Sequence, residues 1–115
     1  MIYDLNNIKI YLKPGPTDMR KAINGLFIVI RKELQKDPFS GALFLFCNRG
    51  RKRIKILYWH RNGFCLWMKR LERDKFPWPM TEEEVMELDY QKLKWLLSGI
   101  DFFHAHKELK FSSMI

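Results

Sequence analysis

Residues 43–71 read LFLFCNRGRKRIKILYWHRNGFCLWMKRL, and the pattern in this stretch decides the fold. Leu43 to Cys47 is an unbroken apolar run behind Ser40-Gly41, the pattern of a buried strand. Asn48-Arg49-Gly50-Arg51 is a turn. Ile54 to Trp59 reads as a second strand. Its period of two puts Arg53, Lys55, Leu57 and Trp59 on one face and Ile54, Ile56 and Tyr58 on the other. His60-Arg61-Asn62-Gly63 contains Asn-Gly, a strong hairpin signal, and Phe64 to Leu71 returns as a third strand on which Cys65, Trp67 and Lys69 share a face. Three strands joined by tight turns predict an antiparallel meander.

Upstream, Ile8, Ile10 and Leu12 alternate with Lys9, Tyr11 and Lys13, which predicts another strand, stopped by Pro14-Gly15-Pro16. Thr17 is placed to cap a helix with Asp18 in its first turn. Met19, Ile23, Leu26, Ile30 and Leu34 recur at steps of three and four, so the helix is expected over about 18–36, ending at Asp37-Pro38. Downstream, Pro77 and Pro79 bracket Trp78 and break the pattern. Glu84 to Leu88 alternates weakly and reads as a fourth meander strand. Asp89 caps a helix from Tyr90 to Ser98, with Leu93, Leu96 and Leu97 inward and Gly99 at its end. The order β-α-β-β-β-(β)-α predicts an α+β domain. Its mainly antiparallel sheet carries the helices on one face, leaving the other free to meet a partner.

The chain has 115 residues, 47% of them hydrophobic and 15% aromatic, too apolar for a disordered chain and of a length for one domain. The expected domain is 1–115, with its core at about 8–101 and a tail, 102–115, that no pattern places. No apolar run approaches the ~18 residues of a membrane helix, and Met1 to Asn7 has no secretory pattern, so a cytoplasmic protein is expected. Cys47 and Cys65 lack metal-ligand spacing. They read as buried thiols of a reducing compartment, a disulfide staying open only if they face each other on paired strands.

The formal net charge of +8 is concentrated. Residues 49–75 hold ten basic side chains, Arg49, Arg51, Lys52, Arg53, Lys55, Arg61, Lys69, Arg70, Arg73 and Lys75, against two acids, Glu72 and Asp74. The rest of the chain balances eleven basic against eleven acidic residues, so this segment carries the whole excess. A concentrated positive field attracts polyanions, nucleic acid being the usual one. Trp59 and Trp67 beside these groups could stack on bases or pack on sugars; the alternative is that both are core and only the turns are basic. Catalytic chemistry finds little support. Asp18, Asp74 and Asp101 are scattered, and Glu82-Glu83-Glu84 reads as a solvated run, so no metal-binding set of carboxylates forms. His104 and His106 are two ligands without a third, His60 sits in a turn beside Trp59 where the sequence makes no acid partner evident, and no nucleotide loop is present. No enzyme, cofactor or metal is expected.

Several dispersed motifs stand together in this chain. They are Thr17-Asp18-Met19-Arg20-Lys21 with Gly25-Leu26, then Leu43-Phe44-Leu45-Phe46 and the Arg49-Gly50 turn. Ile54-Lys55, Trp59-His60, Gly63-Phe64-Cys65-Leu66 and Lys69-Arg70-Leu71-Glu72 follow, and then Phe76-Pro77-Trp78-Pro79 and Leu97-Ser98-Gly99-Ile100-Asp101. Through them the chain, over about 8–101, resembles the TnpB-type accessory proteins of the IS66 class of bacterial transposons, which are distinct from the RNA-guided nucleases sharing that name. One departure is Phe102, where these proteins usually carry Trp after the Asp101 position.

The resemblance implies a protein encoded beside a separate transposase and needed for efficient transposition, with no catalytic residues to carry over. The basic meander adds the expected mechanism: non-specific or weakly specific binding of duplex DNA that helps a transposase assemble on element ends. Asp18, Arg20 and Lys21 are expected to be structural or partner-facing. The alternative is a protein–protein adaptor that binds the transposase, without DNA contact, through the same basic patch.

Overall fold

Leu43–Cys47 (β2) is fully buried along its whole length. A strand with no exposed side must be covered on both faces and flanked at both edges. The computed structural model, which describes residues 7–101, shows how. β1 (Ile10–Leu12) lies parallel to β2, with Ile10 opposite Leu43 and Leu12 opposite Leu45. On the other edge, β3 (Arg53–His60) and β4 (Gly63–Arg70) complete the antiparallel meander. β5 (Met86–Leu88) pairs antiparallel with β1, giving the sheet order β4-β3-β2-β1-β5. The short strand near residue 86 is therefore not a fourth meander strand. The proline-broken segment after β4 carries the chain across to the far edge of the sheet.

The two helices lie on opposite faces, which corrects the one-face expectation. On one face Ile10, Leu12, Leu43, Leu45, Cys47, Ile54 and Ile56 pack under Phe76, Trp78 and the inward Leu93 and Leu96 of α2 (Tyr90–Leu97). On the other, Phe44, Phe46 and Leu57 meet Leu26, Val29 and Ile30 from α1 (Ile23–Ile28) and the π-helical turn that continues it, Val29–Glu33. Alternation along β2 makes this unavoidable. Three of its side chains point one way and the two phenylalanines the other, and both groups are too apolar to face water.

α2 follows its sequence signals closely. Asp89 accepts the Lys92 N–H at 2.8 Å, and Gly99 takes a left-handed conformation (φ 79°) just past the last turn. α1 does not. Thr17 caps no helix, and the helix begins five residues after Asp18. The Asp18 carboxylate accepts the Arg20 N–H at 2.9 Å, closing a local turn. The Lys55 ammonium, reaching from β3, donates to the carbonyls of Met19 and Lys21 at 2.8 Å each. In a helix from residue 18 those carbonyls would have accepted N–H groups four residues on. At the other end Gln35 turns left-handed (φ 54°) and Lys36 N–H closes onto Ile30 O at 3.1 Å, ending the element before residue 36.

The hairpin is also shifted by one residue. Its two turn residues are Arg61 and Asn62, Gly63 pairs with His60 inside the ladder, and Arg61 takes the positive φ of 59°. Cys47 and Cys65 lie on β2 and β4 with β3 between them, and both are free thiols. Burial pushes the Cys47 thiol up to about 12, which leaves it protonated and inert at neutral pH. Among the described residues no helix is long and apolar enough to cross a membrane.

Thr17 is 7% exposed, and its hydroxyl oxygen has no hydrogen-bond partner among the described residues. A buried polar atom without a partner costs stability. The near-isosteric Thr17→Val is therefore expected to raise unfolding stability by roughly 1 kcal/mol. Urea melts of the two proteins check this. A loss of stability of that size would show that the hydroxyl is satisfied after all.

Candidate nucleic-acid interface

The β2–β3 turn is organised by one side chain. The Asn48 amide oxygen accepts the N–H groups of Lys52 (2.9 Å) and Arg53 (3.0 Å), and its backbone carbonyl accepts Arg51 N–H at 3.0 Å. With those bonds made inward, the side chains of Arg49, Lys52 and Arg53 stand exposed and that of Arg51 half-exposed. Two backbone bonds then fasten the segment after β4 to the same turn. Leu71 N–H donates to Lys52 O at 2.8 Å and Phe76 N–H to Arg51 O at 2.7 Å. Arg70, Arg73 and Lys75 join the cluster through them. A third segment arrives from upstream, where Thr17 N–H donates to Cys47 O at 2.7 Å and Lys55 holds the turn at 19–21. Arg20 and Lys21 thereby border the same end of the sheet. Seven basic side chains gather there, with Arg20 and Lys21 beside them next to Leu66 at the start of α1, against the acids Asp18, Glu72 and Asp74.

Two of those acids are already engaged. Asp18 binds the Arg20 guanidinium at 2.7–3.1 Å, and Glu72 binds the Arg70 guanidinium at 2.8 and 2.9 Å. Arg20 beside it holds the Asp18 carboxyl at about 2, first through the side-chain hydrogen bond and then through the Arg20 N–H. Both pairs are solvent-exposed, so they fix geometry more than they stabilise. Arg53 and Arg70 lie directly opposite each other across the β3–β4 ladder, a like-charge pairing that disfavours the sheet unless an anion sits between them.

The structure divides the ten basic residues singled out in the sequence. Arg49, Arg51, Lys52, Arg53, Arg70, Arg73 and Lys75 gather at this end. Lys55 is committed to Met19 and Lys21, and Lys69 donates to Leu97 O at 2.9 Å at the end of α2, so both are internal struts. Arg61 sits at the opposite end of β3, roughly 26 Å of strand away. It borders an open cleft of about 630 Å³ shared with Lys9, Tyr11, Phe39, Trp59 and His60. Trp59 and Trp67 do not form one stacking surface. Trp59 packs against Phe39 and Phe64 on the α1 face, whereas Trp67, opposite Ile56, lies on the α2 face and is 37% exposed.

Of the Asp18-Arg20-Lys21 motif, the sequence alone showed neither the Asp18–Arg20 pair nor the capture of its carbonyls by Lys55. A lysine in the middle of an apolar strand face was the available signal for the latter. No group of three His, Cys, Asp or Glu converges among the described residues, and the His104–His106 pair lies outside them.

A family model described as "IS66 Orf2 like protein" matches residues 8–107. The chain is also similar to two curated proteins of Sinorhizobium fredii (strain NBRC 101917 / NGR234). Uncharacterized protein y4hO is 35% identical over 101 residues, covering 88% of each chain. Uncharacterized protein y4jC is 28% identical over 108 residues, covering 94% of this chain and 92% of its own. No solved structure matches.

The Asp18–Arg20 geometry makes a pH prediction. The Asp18 carboxyl is expected to titrate at about 2, below the ordinary ~3.9. Its stabilising effect is then present above about pH 4 and lost as pH falls through about 2. Carboxyl-carbon NMR titration checks the value, and Arg20→Gln should return it toward the ordinary range. A midpoint near 4 in the unaltered protein would mean that the pair does not persist in solution.

Proposed function

Because the chain belongs to the IS66 Orf2-like family, a transposition-associated family, we propose that it assists a separate transposase by binding duplex DNA through the basic end of its sheet. The observation that carries this reading is the convergence of basic side chains from three segments at one exposed end of the sheet, around the β2–β3 turn. Such an end suits a phosphate backbone. Exposed arginines at turns can follow phosphates without burying charge, and the Arg53–Arg70 opposition is relieved when a phosphate oxygen sits between the two guanidiniums. Among the described residues this end presents turns rather than a groove-filling helix or ribbon, which suits binding that is weak in sequence preference. The transposase, in this reading, supplies specificity and chemistry. The accessory protein supplies charge that holds element ends close.

The test is duplex binding across a salt series. With roughly four to six phosphates neutralised, log affinity is expected to fall against log salt with a slope of about −4 to −5. Changing Arg49, Arg51, Lys52 and Arg53 together to Gln should flatten that slope by several units and leave the fold intact. The turn's hydrogen bonds come from Asn48 and the backbone, not from these side chains. Changing Lys92 and Lys94 on α2 should do little. Equal weakening by both sets would reduce the attraction to generic charge. If the protein bound no DNA even in low salt, the basic end would instead meet an acidic surface on the transposase.

A further inference from the structure

The outer strand of the meander has an edge that no described residue guards. β4 is eight residues long, and among the described residues only β3 pairs with it. Its ladder runs without interruption from Gly63 to Arg70, so no bulge twists the edge away, and it contains no proline. The ladder also fixes which backbone groups are turned outward. Leu71 N–H bonds to Lys52 O, and hydrogen-bonded positions of an antiparallel pair alternate. Odd-numbered residues of β4 therefore bond to β3, and Phe64, Leu66, Met68 and Arg70 direct N–H and C=O away from the sheet. Beside these groups Met68 is 57% exposed and Trp67 37%. The Lys69 ammonium, a natural edge-blocking charge, is folded back onto Leu97 O.

We propose that this edge pairs antiparallel with β4 of a second copy of the chain, joining two five-stranded sheets about a two-fold axis beside Trp67. The arrangement of residues selects a second copy. In the register centred on Trp67 all four outward-facing residues find partners, giving about eight interchain hydrogen bonds. Met68 then faces Leu66 of the other copy, and Arg70 faces Phe64, a pairing of cation and ring. Trp67 meets its own counterpart on the axis. The strand's two charges, Lys69 and Arg70, both lie in its last two positions, so antiparallel self-pairing brings no like charges opposite each other. Such an interface is isologous and closes at two chains. It leaves the two basic ends pointing in opposite directions, away from the axis.

Each chain carries +8, so the copies repel at long range and salt screens that repulsion. Dimerisation should therefore strengthen with salt, whereas binding to a phosphate backbone weakens. The inference is independent of the DNA reading, because a monomer that binds DNA overturns only the dimer. Sedimentation equilibrium of the full chain at low and high salt is expected to show a reversible monomer–dimer equilibrium shifted toward dimer in high salt.

Met68→Pro removes an outward N–H and no bond to β3. It should weaken association at least about tenfold with the far-ultraviolet circular dichroism retained. If that variant fails to fold, Trp67→Cys provides a second route. Opposed positions on the axis are roughly 4.5 Å apart between Cα atoms, within disulfide range, so mild oxidation should link the two substituted positions, as peptide mapping would show. Lys92→Cys should not link. A protein that stays monomeric at every salt concentration, a folded Met68→Pro that dimerises undiminished, or a Trp67→Cys that does not link would each overturn the proposal.

Discussion

The structure depends on burying β2 from both sides. Leu43, Leu45 and Cys47 face one way and Phe44 and Phe46 the other, all at zero exposure. Neither set could be left to water without losing roughly 1.5–3 kcal/mol for each large side chain. That constraint requires a helix on each face and a strand on each edge of β2. The chain meets it with a parallel crossover from β1 through α1, and with a late return in which β5 and α2 close the far edge and the second face. With both faces taken, the surfaces left for a partner are the ends of the sheet and its outer edges. Among the described residues, the basic side chains at turns and the outer edge of β4 are what this architecture leaves open.

Much of this was legible in the residues. The meander, β1 and α2 with its Asp89 cap follow from period, capping and turn signals that act over a few positions. What could not be read depended on distant partners. α1 starts late because Lys55, more than thirty residues downstream, takes the carbonyls that a longer helix would need. β5 pairs with β1 because the Pro77-Trp78-Pro79 segment crosses the sheet. Trp78 anchors it by donating its indole N–H to Lys13 O (3.1 Å) and Gly15 O (3.2 Å). The one-face expectation failed for a simpler reason. An unbroken apolar run such as Leu43 to Cys47 is itself the mark of a strand covered on both sides.

The candidate site was legible as a charge count but not as a surface. A segment of sequence is not a patch. Of ten basic residues within 49–75, two turn inward to bind carbonyls and one lies at the far hairpin. Arg20 and Lys21, from outside that segment, are brought in by backbone bonds. The difference is physical. Lysine's long stem lets its ammonium reach a carbonyl from a half-buried strand position, as at Lys55 and Lys69. The arginines of the turn make no side-chain hydrogen bond to a carbonyl among the described residues and stay at the surface.

The Arg53–Arg70 opposition is the clearest link between stability and function. Directly opposed like charges disfavour an antiparallel pair, and a neutral residue at either position would remove the cost. Glu72 offsets part of it by binding Arg70, which leaves Arg53, on the α1 side of the sheet beside the turn, without a salt bridge among the described residues. A local rule broken at an exposed end, where no packing requires it, marks a place shaped by what it meets. An anion bridging the two guanidiniums converts the cost into attraction, since each can donate charge-assisted hydrogen bonds to the same phosphate. The same pairing sets polarity. Because β4 carries its charges only at its last two positions, its middle stays apolar, and the proposed polyanion-binding end and the proposed strand-pairing edge overlap on this strand at Arg70 alone.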